Sequence, residues 1–194
     1  MSYNSKSKKY ELKKSELITL ISKNIPIPFN DLSDELRADK EVVMAFVRLS
    51  GSLLEYASAE LRADKEVVMT AVEQNGLALE FASYGLRNDR EFMMKAVRRY
   101  RYALDYASDE LRNDKEIVMA AVKEYGYALE FASAELRADR EVVMAAVSKE
   151  GYALYYASEE LRTDKEVLLA AVAQTWWTEA KDVCGGVRVI LNRS

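Results

Sequence analysis

The dipeptide Leu-Arg returns at Leu36, Leu61, Leu86, Leu111, Leu136 and Leu161, a strict 25-residue period. Asp39, Asp64, Asp89, Asp114, Asp139 and Asp164 hold a second place in the period, and Glu41, Glu66, Glu91, Glu116, Glu141 and Glu166 a third. A unit of this length cannot bury its own apolar face, so a chain built this way folds as a stack of like units. A divergent copy precedes the six. Glu16–Ile21 stands 25 residues before Glu41–Phe46, and Phe29–Arg37 matches the end of a unit.

Each unit contains a helix with a readable start. In Asp114-Lys-Glu-Ile-Val-Met-Ala-Ala-Val-Lys-Glu-Tyr-Gly126, the Asp suits an N-cap and the Glu two residues on favours the positive end of the helix dipole. Gly126 is expected to close the helix in a left-handed conformation. At 100° per residue, Glu116, Ala120, Lys123 and Glu124 share a solvent stripe, and Ile117, Val118, Met119, Ala121 and Val122 cover the remaining arc. A helix so broadly apolar must be covered on several sides, and neighbouring units supply that cover. The second half, Tyr127–Arg137, reads as a shorter helical segment. Leu129, Ala132 and Leu136 face inward with Phe131, Glu130 faces out, and Ser133 is placed to cap or bend a last turn, which leaves open that this half is two short pieces rather than one helix. Alternation is absent and strong helix formers dominate, which excludes strands. The expected fold is all-α, an α-solenoid of tandem 25-residue two-helix repeats. Its parts are a disordered basic N-terminus (1–10), a divergent N-terminal capping repeat (11–35) with Pro26 and Pro28 in its turn, a repeat array (36–173), and an irregular C-terminal cap or tail (174–194). Trp176 stands in that tail where the pattern asks for Gly.

The stretches D-[KR]-E-[VI]-V-x-x-A-V-x-x-x-G-Y-A-L-x-[YF]-A-S-x-E-L-R, clearest from Asp114 to Arg137 and from Asp139 to Arg162, resemble the repeats known as domain of unknown function 4116, found in bacterial and protist proteins. The resemblance spans about Leu36 to Ala173. It implies helical repeats and no particular reaction. The chain departs from the pattern at Arg101 and Trp176, in place of Gly, and at Phe46, in place of Ala.

Composition narrows the function. There is no histidine among the 194 residues, which removes the commonest general base, the Ser–His and Cys–His pairs and the usual transition-metal ligand. Cys184 is the single cysteine, so no intrachain disulfide forms, which fits a reducing cytosol. The N-terminus reads as no signal peptide and no stretch is apolar enough for a membrane span. Carboxylates are plentiful, but every regular one has a repeat counterpart, whereas a catalytic pair should be singular. No enzyme activity and no cofactor are expected. A net charge of −4 argues against general binding of polyanions.

Of four periodic features, two have both a structural and a binding reading. Arg37, Arg62, Arg87, Arg112, Arg137 and Arg162 form a ladder that could follow a phosphate backbone; the Asp and Glu ladders two and four residues on are expected to pair with it instead. Met44, Met69, Met94, Met119 and Met144 read as core filling, as do Tyr56, Phe81, Tyr106, Phe131 and Tyr156. Tyr102, Tyr127, Tyr152 and Trp177 fall on another face, either stacking between units or lining a binding surface.

One stretch breaks the regularity. In Lys95–Leu104 (KAVRRYRYAL) four cations fall within seven residues. The unit 86–110 holds six cations against five carboxylates and is the one positive unit of the five from 36 to 160. Lys95, Arg98 and Arg99 are expected on the solvent stripe of one helix, at i, i+3 and i+4. With Tyr100, Arg101 and Tyr102 they form the candidate partner-binding site, read either as a solvated face or as a docking site for an acidic partner. The favoured function is a non-catalytic scaffold for protein–protein interaction. The alternatives are a nucleic-acid-binding repeat protein, supported by this unit alone, and a regulatory module of a larger protein. The expected location is cytoplasmic, with no membrane partner.

Overall fold

A computed structural model describes residues 13–23 and 27–183 of the chain, residues 176–183 as helical backbone. The expectations for the segment 1–10 and for Cys184 lie outside the described residues. The chain forms two compact units, one through Ala96 and one from Val97.

The first unit opens with α1 (Lys14–Ser22), a short 3₁₀ turn (Phe29–Asp31) and α2 (Asp34–Arg37). These are the elements of the divergent first repeat. Then come α3 (Lys40–Leu49), a 3₁₀ segment (Gly51–Tyr56) and a 3₁₀ turn (Leu61–Ala63), followed by α4 (Lys65–Gln74), a 3₁₀ segment (Gly76–Phe81), α5 (Tyr84–Arg87) and α6 (Arg90–Val97). The second unit continues with a 3₁₀ segment (Ala103–Tyr106), α7 (Asp109–Arg112), α8 (Lys115–Glu124), a 3₁₀ segment (Gly126–Phe131) and α9 (Ala134–Arg137). It ends with α10 (Arg140–Lys149), a 3₁₀ segment (Gly151–Tyr156), α11 (Glu159–Thr163) and α12 (Lys165–Val183). No strand occurs among the described residues. The fold is an all-α repeat solenoid.

The long helices through α10 are thus each followed by two short pieces rather than one helix: a 3₁₀ segment, then a short helix that is α except at the 3₁₀ turn Leu61–Ala63. The break falls where the serine stands. Ser133 caps α9, its Oγ accepting the Leu136 N–H at 3.2 Å, and its own N–H leaves the local chain to donate to the Arg112 carbonyl at 3.0 Å. Ser58, Ser83 and Ser158 donate in the same way to Arg37, Arg62 and Arg137 at 2.8–3.0 Å. One residue therefore ends the 3₁₀ segment, starts the next helix and ties consecutive repeats together through the backbone.

The long helices are capped as the sequence predicts. The Oδ1 of Asp114 accepts the N–H groups of Glu116 and Ile117 at 2.9 and 3.1 Å, and Asp39, Asp64, Asp139 and Asp164 repeat this pair of bonds. The helical wheel also holds. Ile117, Val118, Ala121 and Val122 are buried, whereas Glu116, Lys123 and Glu124 are exposed. In the second half Leu129, Ala132 and Leu136 are buried. Two core assignments need correction. Met69, Met94, Met119 and Met144 are half-buried at the edge of the helix packing, and Met44 alone of the stripe is buried. Phe81, Tyr106, Phe131 and Tyr156 are also half-buried, and Tyr56 is exposed. The core consists mostly of Val, Leu and Ala, with Phe29, Phe46, Phe92, Met93 and Ile117 among the larger buried side chains. At the C-terminal end the tail departs less than expected, because α12 carries on as helix through residue 183.

Candidate interaction surface

The charged residues of the repeat are engaged in holding it together. Lys115 Nζ lies 2.7 Å from Asp139 and 2.9 Å from Glu141; Arg140 reaches Asp164 and Glu166 at 3.4 and 2.5 Å. In the first unit Lys14 meets Asp39 and Glu41, Lys40 meets Asp64 and Glu66, and Lys65 meets Asp89. In these five cases the cation that follows a cap in sequence closes on the cap of the next repeat. Lys115 holds the Asp139 carboxyl below its ordinary range, helped by the Val142 N–H against the opposing effect of burial, and Asp139 and Glu141 in turn raise Lys115. These pairs correct the expected role of the arginine ladder. The Asp and Glu ladders pair with the residue beside the cap, not with the Leu-Arg arginines. Arg37, Arg62, Arg87, Arg112 and Arg137 are half-buried instead, and Arg112 donates to the carbonyls of Ala107 and Asp105. An arginine folded onto its own repeat is poorly placed to track phosphates.

Glycine sets the spacing of the repeats. A Cβ on Gly126 would stand 2.5 Å from the Ala146 carbonyl oxygen, and one on Gly151 2.4 Å from that of Ala171; on Gly51 it would meet the Ala71 oxygen at 2.1 Å. The next long helix lies against the backbone there, and only hydrogen fits. None of these glycines has positive φ, and the residue before Gly126 is extended, so the expected left-handed closure is absent. The glycine is required by close approach.

At the corresponding place in the third repeat stands Arg101. There α6 ends at Val97, whereas α8 and α10 each run ten residues; the following 3₁₀ segment starts at Ala103 and has four residues instead of six. Residues 98–102 form an open turn between them. A Cβ that cannot enter the glycine position accounts for both shortenings. This corrects the helical placement of Arg98 and Arg99, which lie in the turn and not on the stripe of α6. Both are nonetheless exposed, as are Lys95, Arg101 and Tyr102, and Tyr100 is half-buried.

The six candidate residues divide between the two units. Lys95 belongs to the first unit, where it pairs with Glu91 at 2.8 Å. The others belong to the second unit. There the turn is fastened by a residue that sequence reasoning passed over: the Tyr125 hydroxyl donates to the Arg99 carbonyl at 2.9 Å, and the Arg101 guanidinium lies 5.9 Å from the centre of the Tyr125 ring, within cation–π range. Its offset from Arg99, close to one repeat, was the signal in the sequence. Tyr102 packs edge-on against Phe131, and Tyr127 against Tyr156, each at 6.4 Å between ring centres. Tyr102 and Tyr127 of this face thus stack between repeats, whereas Tyr152 is exposed; the Trp177 side chain lies outside the described residues. Arg98 also walls a groove of about 580 Å³ floored by Met119 and Ala120. Its other charged groups are Lys115, Lys123, Glu116, Glu124 and Glu141, so three cations face three carboxylates.

The family pattern described as domain of unknown function (DUF4116) matches residues 15–62, 64–112, 98–137 and 139–178. The chain belongs to this family. Each DUF4116 match spans roughly two of the repeats defined by structure, and the second and third overlap over the open turn. No curated protein and no solved structure matches the chain. For this DUF4116 chain the chemistry must therefore be read from its own residues. No helix among the described residues is long and apolar enough to cross a membrane.

Proposed function

We propose that this DUF4116 chain is a non-catalytic helical-repeat scaffold that binds a protein partner through the open turn 98–102. The observation that carries this reading is the placement of Arg98, Arg99, Arg101 and Tyr102 at the surface of a turn that opens because Arg101 replaces the packing glycine. Here three exposed guanidiniums and an exposed tyrosine stand on one short, fastened loop. Arginine and tyrosine are the side chains that most often anchor protein interfaces. Three exposed guanidiniums on one turn favour an acidic patch on that partner, and no cofactor is needed.

The test is affinity capture by the wild-type chain and by the Arg98→Glu/Arg99→Glu double variant, at low and physiological salt. The reading expects a partner held by the wild type and lost by the variant, with a shallow salt dependence and further weakening by Tyr102→Ala. A captured nucleic acid, released steeply by salt, would replace a protein partner with a phosphate backbone. Identical captures by both chains would leave the turn as a solvated surface.

A further inference from the structure

The C-terminal end of the second unit exposes residues that are core elsewhere. Val118, Val143, Val122 and Val147 are fully buried, each covered in part by the long helix of the following repeat. The same register in α12 is occupied by Leu168 and Val172, which are 38% and 52% exposed, and Leu169 beside them is 59% exposed. Leu154, the counterpart of the fully buried Leu129, is half-buried and lines a groove of about 380 Å³ with Tyr152, Tyr155, Val172 and Thr175. A repeat array that ends on itself presents a polar outer face. This one presents the face of an inner junction.

We infer that this end docks a helical repeat supplied by another chain, one whose long helix opens with an Asp-x-Glu turn. It rests on the end of the array and stands apart from the turn 98–102. The inner junctions show what the face accepts. Lys115 and Arg140 each reach forward to the N-cap Asp and the Glu two residues on in the next helix. Lys165 holds the same register and is exposed. The acidic pair that would meet it falls, one period on from Asp164 and Glu166, at residues 189 and 191, which are Val189 and Leu191. The next period of this sequence therefore lacks the required charges. A second copy lacks them as well: its first helix has Lys13 at the N-cap and Ser15 two residues on, and Lys13 would face Lys165. An aliphatic face flanked by one cation fits an amphipathic helix with carboxylates in its first turn, where they also cap that helix.

The probe is a synthetic peptide of residues 139–162, one whole repeat beginning Asp139-Arg140-Glu141, titrated into the full chain. Saturable binding is expected. Lys165→Glu should weaken it about fivefold or more, and a peptide with Asp139→Lys and Glu141→Lys should bind Lys165→Glu better than it binds the wild type. Leu168→Glu should abolish binding with the melting midpoint of the chain unchanged. No binding at millimolar peptide, or binding indifferent to the charge exchange, overturns the proposal. So does concentration-dependent self-association of the peptide-free chain that Leu168→Glu removes, since a second copy is then the occupant. Binding by a chain ending at residue 183 but not by the full chain also overturns it, by assigning the face to residues 184–194.

Discussion

Gly126 and Arg101 hold the same place in the repeat, and the chain around them takes two different courses. Where Gly126 stands, the long helix runs its full ten residues and the 3₁₀ segment starts at once, with the Ala146 carbonyl seated where a Cβ would be. Where Arg101 stands, helix and 3₁₀ segment both shorten and the chain between them opens to solvent. The comparison shows that the regularity of the array hangs on a contact one hydrogen wide. Giving up that contact frees five residues to carry arginine and tyrosine, and Tyr125 then holds the opened turn by its hydroxyl and its ring face.

Closing the glycine junction by force should give the largest effect. Gly126→Ala puts a methyl group into backbone that has no room to move, and is expected to cost about 3 kcal/mol in reversible melts. Gly85, inside α5, is the control: its nearest Cβ neighbour would be the Ser83 hydroxyl at 3.9 Å. Gly85→Ala should leave stability equal or raise it by up to about 1 kcal/mol, since alanine is the better helix former. Equal effects of the two would mean that close approach is not what the glycine serves.

Asp114→Ala should cost about 0.5–2 kcal/mol by leaving two N–H groups of α8 uncapped. The cap Asp carboxyls also fix the response to acid. Asp89, held down by Lys65 and the Phe92 N–H, and Asp139, held down by Lys115, have lower folded-state values than in the unfolded chain. The unfolded chain therefore binds more protons as acid is added. The stability these groups contribute is complete above about pH 4 and is lost as pH falls through their lowered values. Melting midpoints at pH 5 and pH 3 check the sign; a higher midpoint at pH 3 would contradict it.

Arg101→Gly tests the open turn from the other side. Helix α6 should then run on as α8 does, and amide exchange at residues 98–100 should slow, with overall stability changing by about 0.5 kcal/mol or less because glycine also loosens the unfolded chain. Unchanged exchange would mean that another residue ends α6. The smallest effect belongs to Arg98→Glu and Arg99→Glu, each expected within about 0.5 kcal/mol of wild type, because both side chains project into solvent.

The architecture was legible because its signals are local and repeated. Asp caps, the apolar arc of the long helix and the serine that restarts the chain each act within a few residues of themselves. Other features were hidden because they depend on what a residue meets one period away. Nothing local to Gly126 distinguishes a left-handed closure from close approach; the difference lies in Ala146. Leu-Arg suggested a pairing arginine, yet the cation beside each cap sits nearer the next cap once the repeats stack. Met and aromatic stripes resemble core until stacking fixes which side of the helix the neighbour covers. In the candidate site, the exposure of Arg98 and Arg99 was predicted correctly on a wrong premise, since it comes from a turn and not from a helix stripe. Tyr125 was missed because its contact with Arg99 depends on the opened turn.

The central claim is that 25 residues form one self-contained step of the stack. Excising residues 111–135 joins Glu110 to Leu136 and removes one step in register, whereas excising residues 111–122 breaks the register of every later junction. Helical circular dichroism and thermal melting of the two deletions test the claim directly. The account predicts a shorter, cooperatively melting helical protein from the first and loss of helicity and cooperativity in the second unit from the other. Equal helicity per residue and equal melting of both would contradict it.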